Sequence, residues 1–226
     1  PERFSAAAFD EGGDLKRMLL DRENYYASTG GHGGCRGCGE VTAIRLVVAT
    51  SHALGTQRTR RRLAEFTRLA DELRALGATL GNTDADAARR ARIDGEVAEL
   101  ERAIYLLEGG PTGRGPAGTV IANSTGCSSV YASTMPYNPY QDPWVNSLFQ
   151  DAQPLAKGLY EGMAAQAVEP VRALRRAALE LAGTYDPAVH DRELALLGWR
   201  SFTPEERELL PTFLTIGGDG ATYDIG

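Results

Sequence analysis

Apolar residues return at helical intervals through much of this chain, and glycine and proline mark the places where they do not. From Glu40 onward Val41, Ile44, Val47, Val48 and Leu54 recur at helical spacing, which predicts a helix starting directly after Cys35-x-x-Cys38. Phe66, Leu69, Leu73, Leu76 and Leu80 then alternate threes and fours, and Ile93, Val97, Leu100, Ile104 and Leu107 repeat the stripe. Gly81-Asn82 can stop one helix and Thr83 or Asp84 can cap the next, so residues 57-108 read as an antiparallel helical hairpin. Each arm holds only about two heptads, and the hairpin is expected to lean on the main body or on a partner.

Elsewhere the pattern shortens. Thr119-Val120-Ile121-Ala122 is a β-prone run ending in the turn Asn123-Ser124-Thr125-Gly126, which puts Cys127 just past the carboxyl end of a strand. Pro136, Pro139 and Pro143, interleaved with Tyr137, Tyr140 and Trp144, predict an ordered aromatic loop. From about Pro154, Leu155, Leu159, Met163 and Ala167 share a helix face. A break or kink is expected at Glu169-Pro170, before Val171, Leu174, Ala178 and Leu181. Thr203-Pro204-Glu205-Glu206 carries an N-cap, a Pro at the first helical position and a capping box, so a helix is expected there, ended by Pro211. Thr212 to Ile216 reads as a strand and Gly217-Gly218-Asp219-Gly220 as the tight turn after it. Strands alternating with helices indicate an α/β fold with a largely parallel sheet.

Composition narrows the class. The 226 residues, 42% apolar and 24% charged, suffice for a core of ordinary size. Residues 1-30 carry little pattern and are expected to form an N-terminal linker segment, with one domain over 31-226. A net charge of -6 and a pI near 5.2 argue against a phosphate-backbone binder, so no nucleic acid is expected, and the basic run Arg58 to Arg62 reads as a solvated helix face. No apolar run reaches membrane-spanning length, and Pro1-Glu2-Arg3-Phe4 does not resemble the start of a secretory leader. A soluble, cytoplasmic protein is expected. Three cysteines cannot pair off, which suits reduced thiols.

The candidate chemistry gathers at the glycine-rich turns. In parallel sheets ligands bind beyond the carboxyl ends of the strands. Gly217, Gly218 and Gly220 would let backbone N–H groups approach a pyrophosphate, and Asp219 offers a hard oxygen suited to Mg²⁺. The same pattern also describes an ordinary glycine turn with a surface Asp. Cys35 and Cys38 can grip one metal centre. Spacing leaves three outcomes open: a zinc site completed by Cys127 and His32, a redox pair of the first two cysteines, or an iron–sulfur cluster needing a ligand this chain lacks. His52 and His190, without evident partners, read as structural or solvent-facing, and Glu161 and Glu169 as surface residues.

Four segments carry a resemblance. Gly34-Cys35-Arg36-Gly37-Cys38-Gly39-Glu40 resembles the Cys-x-x-Cys-Gly-Glu signature of the pyruvate:ferredoxin (flavodoxin) oxidoreductase family, the 2-oxoacid:acceptor oxidoreductases. Ile121 to Ser129 resembles its Ala-Asn-x-Thr-Gly-Cys-Ser-Ser segment, and Trp144 to Asp151 its Trp-x-Asn-Ser-Leu-Phe-Glu-Asp stretch. Gly217 to Gly226 is similar to its Gly-Gly-Asp-Gly-x-x-Tyr-Asp-Ile-Gly motif. The four stand in the family's order. They do not cover residues 1-30, the hairpin, or roughly 165-205.

The resemblance implies a thiamine-diphosphate-binding-type fold with helices on both sheet faces, into which the hairpin 57-108 is inserted. It implies that Cys35, Cys38 and Cys127 are three thiolate ligands of a 4Fe-4S cluster, with the fourth beyond Gly226. Glu40 and Cys127 match positions that contact thiamine diphosphate, and Gly218, Asp219, Gly220 and Ala221 match its diphosphate and Mg²⁺ segment, Asp219 being the metal ligand. The remaining Mg²⁺ ligands of the family lie beyond the Asp219 motif, and the glutamate that activates the aminopyrimidine ring lies in a separate domain. The domain is therefore expected to be C-terminally incomplete and inactive alone. The implied activity is oxidative decarboxylation of pyruvate or a related 2-oxoacid to acyl-CoA and CO₂, with thiamine as the electron sink. Implied partners are the 2-oxoacid, coenzyme A, ferredoxin or flavodoxin, other domains or subunits of the same enzyme, and a second copy in a homodimer. The alternative is a zinc-stabilised protein-interaction module that works through the hairpin.

Overall fold

A computed structural model describes residues 34–35, 38–132, 140, 142–147 and 152–218. The expectations placed on 1-30, His32, Pro136 to Pro139, Leu148 to Asp151, Asp219, Gly220, Ala221 and the rest of the final motif lie outside the described residues. The chain forms two compact units. One comprises 1–57, 117–161 and 211–226; the other comprises 58–116 and 162–210.

The second unit is built on the heptad stripe. Helix α1 (Gly39–Thr79) runs unbroken through Gly55, so the helix after Cys38 and the hairpin's first arm are one element. The helix itself does not break near residue 57, where the two units divide, since a single Gly costs a helix interior about 1 kcal/mol and packing overrides that. Helix α2 (Asp84–Glu108) starts at Thr83, whose hydroxyl accepts from Asp86 N–H while the Asp86 carboxylate accepts from Thr83 N–H. Contacts of Arg90 with the Leu80 carbonyl, Ile93 with Gly77, and Glu101 with Arg74 descend one helix as they climb the other, so the arms run antiparallel. Phe66, Leu73, Ile93 and Leu100 are fully buried between them, each contributing about 1.5–3 kcal/mol by leaving water.

A third helix completes this core. α5 (Val168–Leu181) adds Ala173, Leu174 and Ala177 to the stripe and runs antiparallel to α2. The break before α5 falls at Ala167, and Pro170 sits in the first turn of α5, where a missing N–H is tolerated. Glu180, 1% exposed, divides its carboxylate between Arg89 (2.6 Å) and Arg92 (3.2 Å), which compensates the charge it buries. Glu96 is equally buried, and neither of its oxygens has a hydrogen-bond partner among the described residues. Burial pushes its carboxyl up to about 7; nearby Glu180 adds to the shift, while Arg176 and Arg92 oppose it.

Two local expectations change form. Thr203 and Glu206 make their reciprocal backbone bonds, but they open only a single 3-10 turn (Glu206–Leu209), because Glu206 is pulled into a two-pronged ion pair with Arg175. The basic run is less solvated than its composition suggests, since Arg61 and Arg62 both close on Glu208.

The first unit holds the sheet. β1 (Thr119–Asn123) is buried at every position and lies between β2 (Trp144–Asn146) and β3 (Thr212–Ile216), with both pairings parallel. Ile121 and Leu214 face α1 through Val41, Ile44 and Val48; their neighbours Val120 and Phe213 take the opposite face, where Phe213 meets Tyr160 of α4 (Ala152–Gln166) edge-on. β2 is hidden in the sequence because only three residues pair and a proline precedes them. Among the described residues no helix is long and apolar enough to cross a membrane.

At the carboxyl end of β1 the Asn123 amide is fully buried and must be satisfied locally. Its oxygen accepts from Trp144 Nε1 (2.7 Å), and its nitrogen donates to Ser128 and Ser129 Oγ (both 3.3 Å). Ser129 in turn donates to Asn146 on β2 (3.2 Å). Strand end, adjoining turn and neighbouring strand are thereby tied together.

Replacing Asn123 with Ala leaves the Trp144 N–H and both serines without these bonds, and should cost roughly 1–3 kcal/mol in chemical denaturation; a change under about 0.5 kcal/mol would contradict the role. For Glu96 the sign is opposite to that of an ordinary salt-bridged carboxylate. A carboxyl that holds its proton more tightly when folded favours folding at low pH and opposes it as pH climbs from the ordinary carboxylate range through about 7. Glu96→Gln should therefore gain on the parent by roughly 2 kcal/mol between about pH 5 and pH 8 in thermal unfolding, and a pH-independent difference would refute the assignment.

Candidate functional site

The first candidate element is the turn into α1. Cys38 N–H donates to the Cys35 carbonyl (3.1 Å), and the Cys38 carbonyl accepts from Thr42 N–H (3.3 Å) and Thr42 Oγ1 (3.1 Å), so Cys38 occupies the helix start. Glu40 lies in the first turn, where a carboxylate complements the helix dipole. Cys35 is exposed and Cys38 half-buried, and both are free thiols.

The second element comes after β1. Ser124 N–H donates to the Ile216 carbonyl and Ser147 N–H to the Asn123 carbonyl, which prolongs the sheet ladder past the last paired residues on both sides. The chain then turns through Gly126 into the short helix α3 (Cys127–Tyr131), with Cys127 an exposed free thiol at its first position. A Cβ placed on Gly126 would stand 3.3 Å from the Gly218 nitrogen, and one on Gly218 would stand 3.4 Å from the Thr125 carbonyl oxygen. Two glycines thus let the turns after β1 and β3 approach each other with bare backbone. Gly218 is the member of the Gly-Asp-Gly segment within the described residues.

The two elements meet. Tyr131, four residues after Cys127 and 3% exposed, donates its hydroxyl to Glu40 Oε1 at 2.9 Å. Burial, together with that bond to Glu40, raises the Tyr131 phenol well above its usual range, which keeps it a neutral donor. Tyr140 stands in the same corner, packed on Trp144 at 4.5 Å between centroids. Its phenol is pushed up to about 12, chiefly by burial and further by Cys38 and Glu40. Cys38, Glu40, Tyr131 and Tyr140 therefore share one corner at the carboxyl end of the sheet.

Between them the two elements carry three free thiols, one carboxylate and glycine backbone, donor types that suit a thiolate-bound group and an anionic cofactor. Among the described residues no three Cys, His, Asp or Glu approach closely enough to hold one metal ion. Thiolates are the donors that iron–sulfur clusters take, and the three cysteines are free.

Several participants carry no readable signal in the sequence. Tyr131 is detectable only afterwards, as the residue one helical turn beyond Cys127 on the same face. His52 is not unpartnered: its Nε2 lies 2.5 Å from Asp142 Oδ1, a contact across 90 residues that no local pattern announces. His190 lies in helix α6 (Pro187–Ala195) rather than in a turn, and its Nδ1 accepts from Asp186 N–H at 2.9 Å. Glu169 is exposed and pairs with Arg172.

No family model matches the chain, and no solved structure matches it. Curated proteins do. A pyruvate synthase subunit PorB from Methanosarcina barkeri is 30% identical over 114 residues, covering 50% of this chain and 25% of that protein. A probable pyruvate-flavodoxin oxidoreductase from Escherichia coli is 28% identical over 177 residues, 62% of this chain and 15% of that protein. A pyruvate-flavodoxin oxidoreductase from Rhodospirillum rubrum is 30% identical over 142 residues, 47% of this chain and 12% of that protein. The chain spans a quarter or less of the length of these relatives. Over the shared stretches the chain is similar to pyruvate synthase and pyruvate-flavodoxin oxidoreductase proteins.

Proposed function

We propose that this chain is the thiamine-diphosphate and iron–sulfur segment of a cytoplasmic 2-oxoacid:ferredoxin or flavodoxin oxidoreductase, acting on pyruvate or a related 2-oxoacid together with other domains or subunits. The observation that carries the reading is the hydrogen bond from Tyr131 to Glu40, which brings the Cys127 helix to the Cys35-Cys38 turn at the carboxyl ends of parallel strands. The similarity to pyruvate oxidoreductases supports it, and none of these relatives' names supports the zinc-module alternative.

In this reading Cys35, Cys38 and Cys127 supply three thiolates to a 4Fe-4S cluster, and the fourth comes from outside 1–226. Glu40 and the backbone around Gly126 and Gly218 face thiamine diphosphate, with Asp219, Gly220 and Ala221 completing the diphosphate and Mg²⁺ segment. Thiamine diphosphate held there would supply the nucleophile and electron sink for decarboxylation, and a cluster on the three cysteines would supply a one-electron acceptor. The protein's own part is placement. The buried Asn123 network fixes the turn carrying Cys127, and two glycines let the backbone of the turns after β1 and β3 come close together. The hairpin 57-108 belongs to a separate packing unit, so in this reading it is an insertion that leaves the site intact.

Anaerobic reconstitution of the complete enzyme with iron and sulfide tests this directly. Iron and sulfide should be taken up in equal amounts with a visible thiolate absorption band, and Cys38→Ser should abolish both. Uptake of stoichiometric zinc without iron would overturn the reading.

A further inference from the structure

Glu40 sits in the first turn of α1 and, unlike a buried carboxylate, has solvent on one side; without a partner its side chain would sample several rotamers. The partner it has is rigid. Tyr131 is buried by Val41, Ile44, Ile121 and Ala132 on the sheet side, and only its hydroxyl reaches Glu40. A phenol O–H facing a carboxylate is the donor, so the bond runs from Tyr131 to Glu40.

We infer that Tyr131 is a positioning residue: its hydroxyl holds the Glu40 carboxylate in the one orientation that receives thiamine diphosphate. This rests on the functional reading above. The bond also fixes one Glu40 oxygen and leaves the other available to a ligand. Tyr131 therefore acts through Glu40.

The test is a thermodynamic cycle in the complete enzyme, reading the dissociation constant of thiamine diphosphate with Mg²⁺ by fluorescence quenching. Tyr131→Phe, which keeps the ring, should weaken binding about tenfold with the melting temperature little changed. Glu40→Gln should weaken it by a similar or larger factor, and the double variant should bind no more weakly than Glu40→Gln alone. Losses that multiply in the double variant, or a Tyr131→Phe protein that binds like the parent, would overturn the inference. Should Tyr131→Phe fail to fold, Glu40→Gln binding like the parent overturns it equally. A parent enzyme that does not bind thiamine diphosphate at all would instead sink the functional reading beneath it.

Discussion

A buried amide governs the end of the sheet. Because β1 is covered on both faces and paired on both edges, the polar groups at its carboxyl terminus have no water to turn to, and Asn123 has to meet its hydrogen-bonding needs from the protein. It does so with Trp144 from the neighbouring strand and with Ser128 and Ser129 from the turn beyond it, so three stretches of chain take up one geometry together. Cys127 is carried by that turn and Gly126 opens it toward Gly218. Tyr131 closes it onto Glu40. The turn that carries Cys127 is thus tied to β1 and β2 by one side chain that cannot be left unsatisfied.

The other unit works on a different principle. Its core is a helical stripe shared among α1, α2 and α5, and its buried carboxylates among the described residues are Glu180 with its two arginines, Glu206 with Arg175, and Glu96. Glu180 is compensated and Glu96 is not, so the unit carries a local cost that grows as pH rises. The two units therefore differ in what holds them: a packed helical stripe in one, a parallel sheet with a buried amide at its strand end in the other.

Legibility in the sequence depends on range. The heptad stripe is legible because its period is local, and Phe66, Leu73, Ile93 and Leu100 are among the most buried side chains found. β1 and β3 are legible as short β-prone runs ending in glycine turns, and their parallel pairing agrees with the alternation of strands and helices. β2 is not, since three residues after a proline give too little pattern. The continuity of α1 is obscured by a change in composition that falls where the two units divide, although the helix runs on through it. Pairings across long separations are invisible for the same reason: Tyr131 with Glu40 and His52 with Asp142 each join residues about ninety apart, and nothing local predicts them. The cysteines can be recognised as a set only through the order of the motifs, because their separation in sequence is filled by the helical arms.

The central claim is that Cys35, Cys38 and Cys127 serve one group. Differential alkylation with mass spectrometry, comparing the three thiols before and after anaerobic iron–sulfur reconstitution of the complete enzyme, examines that claim most directly. All three start as free thiols, two of them exposed. The account predicts that they become protected together and to the same extent. Protection of Cys35 and Cys38 with Cys127 labelled as before would contradict it, because the two elements joined by Tyr131 and Glu40 would then not form a single site.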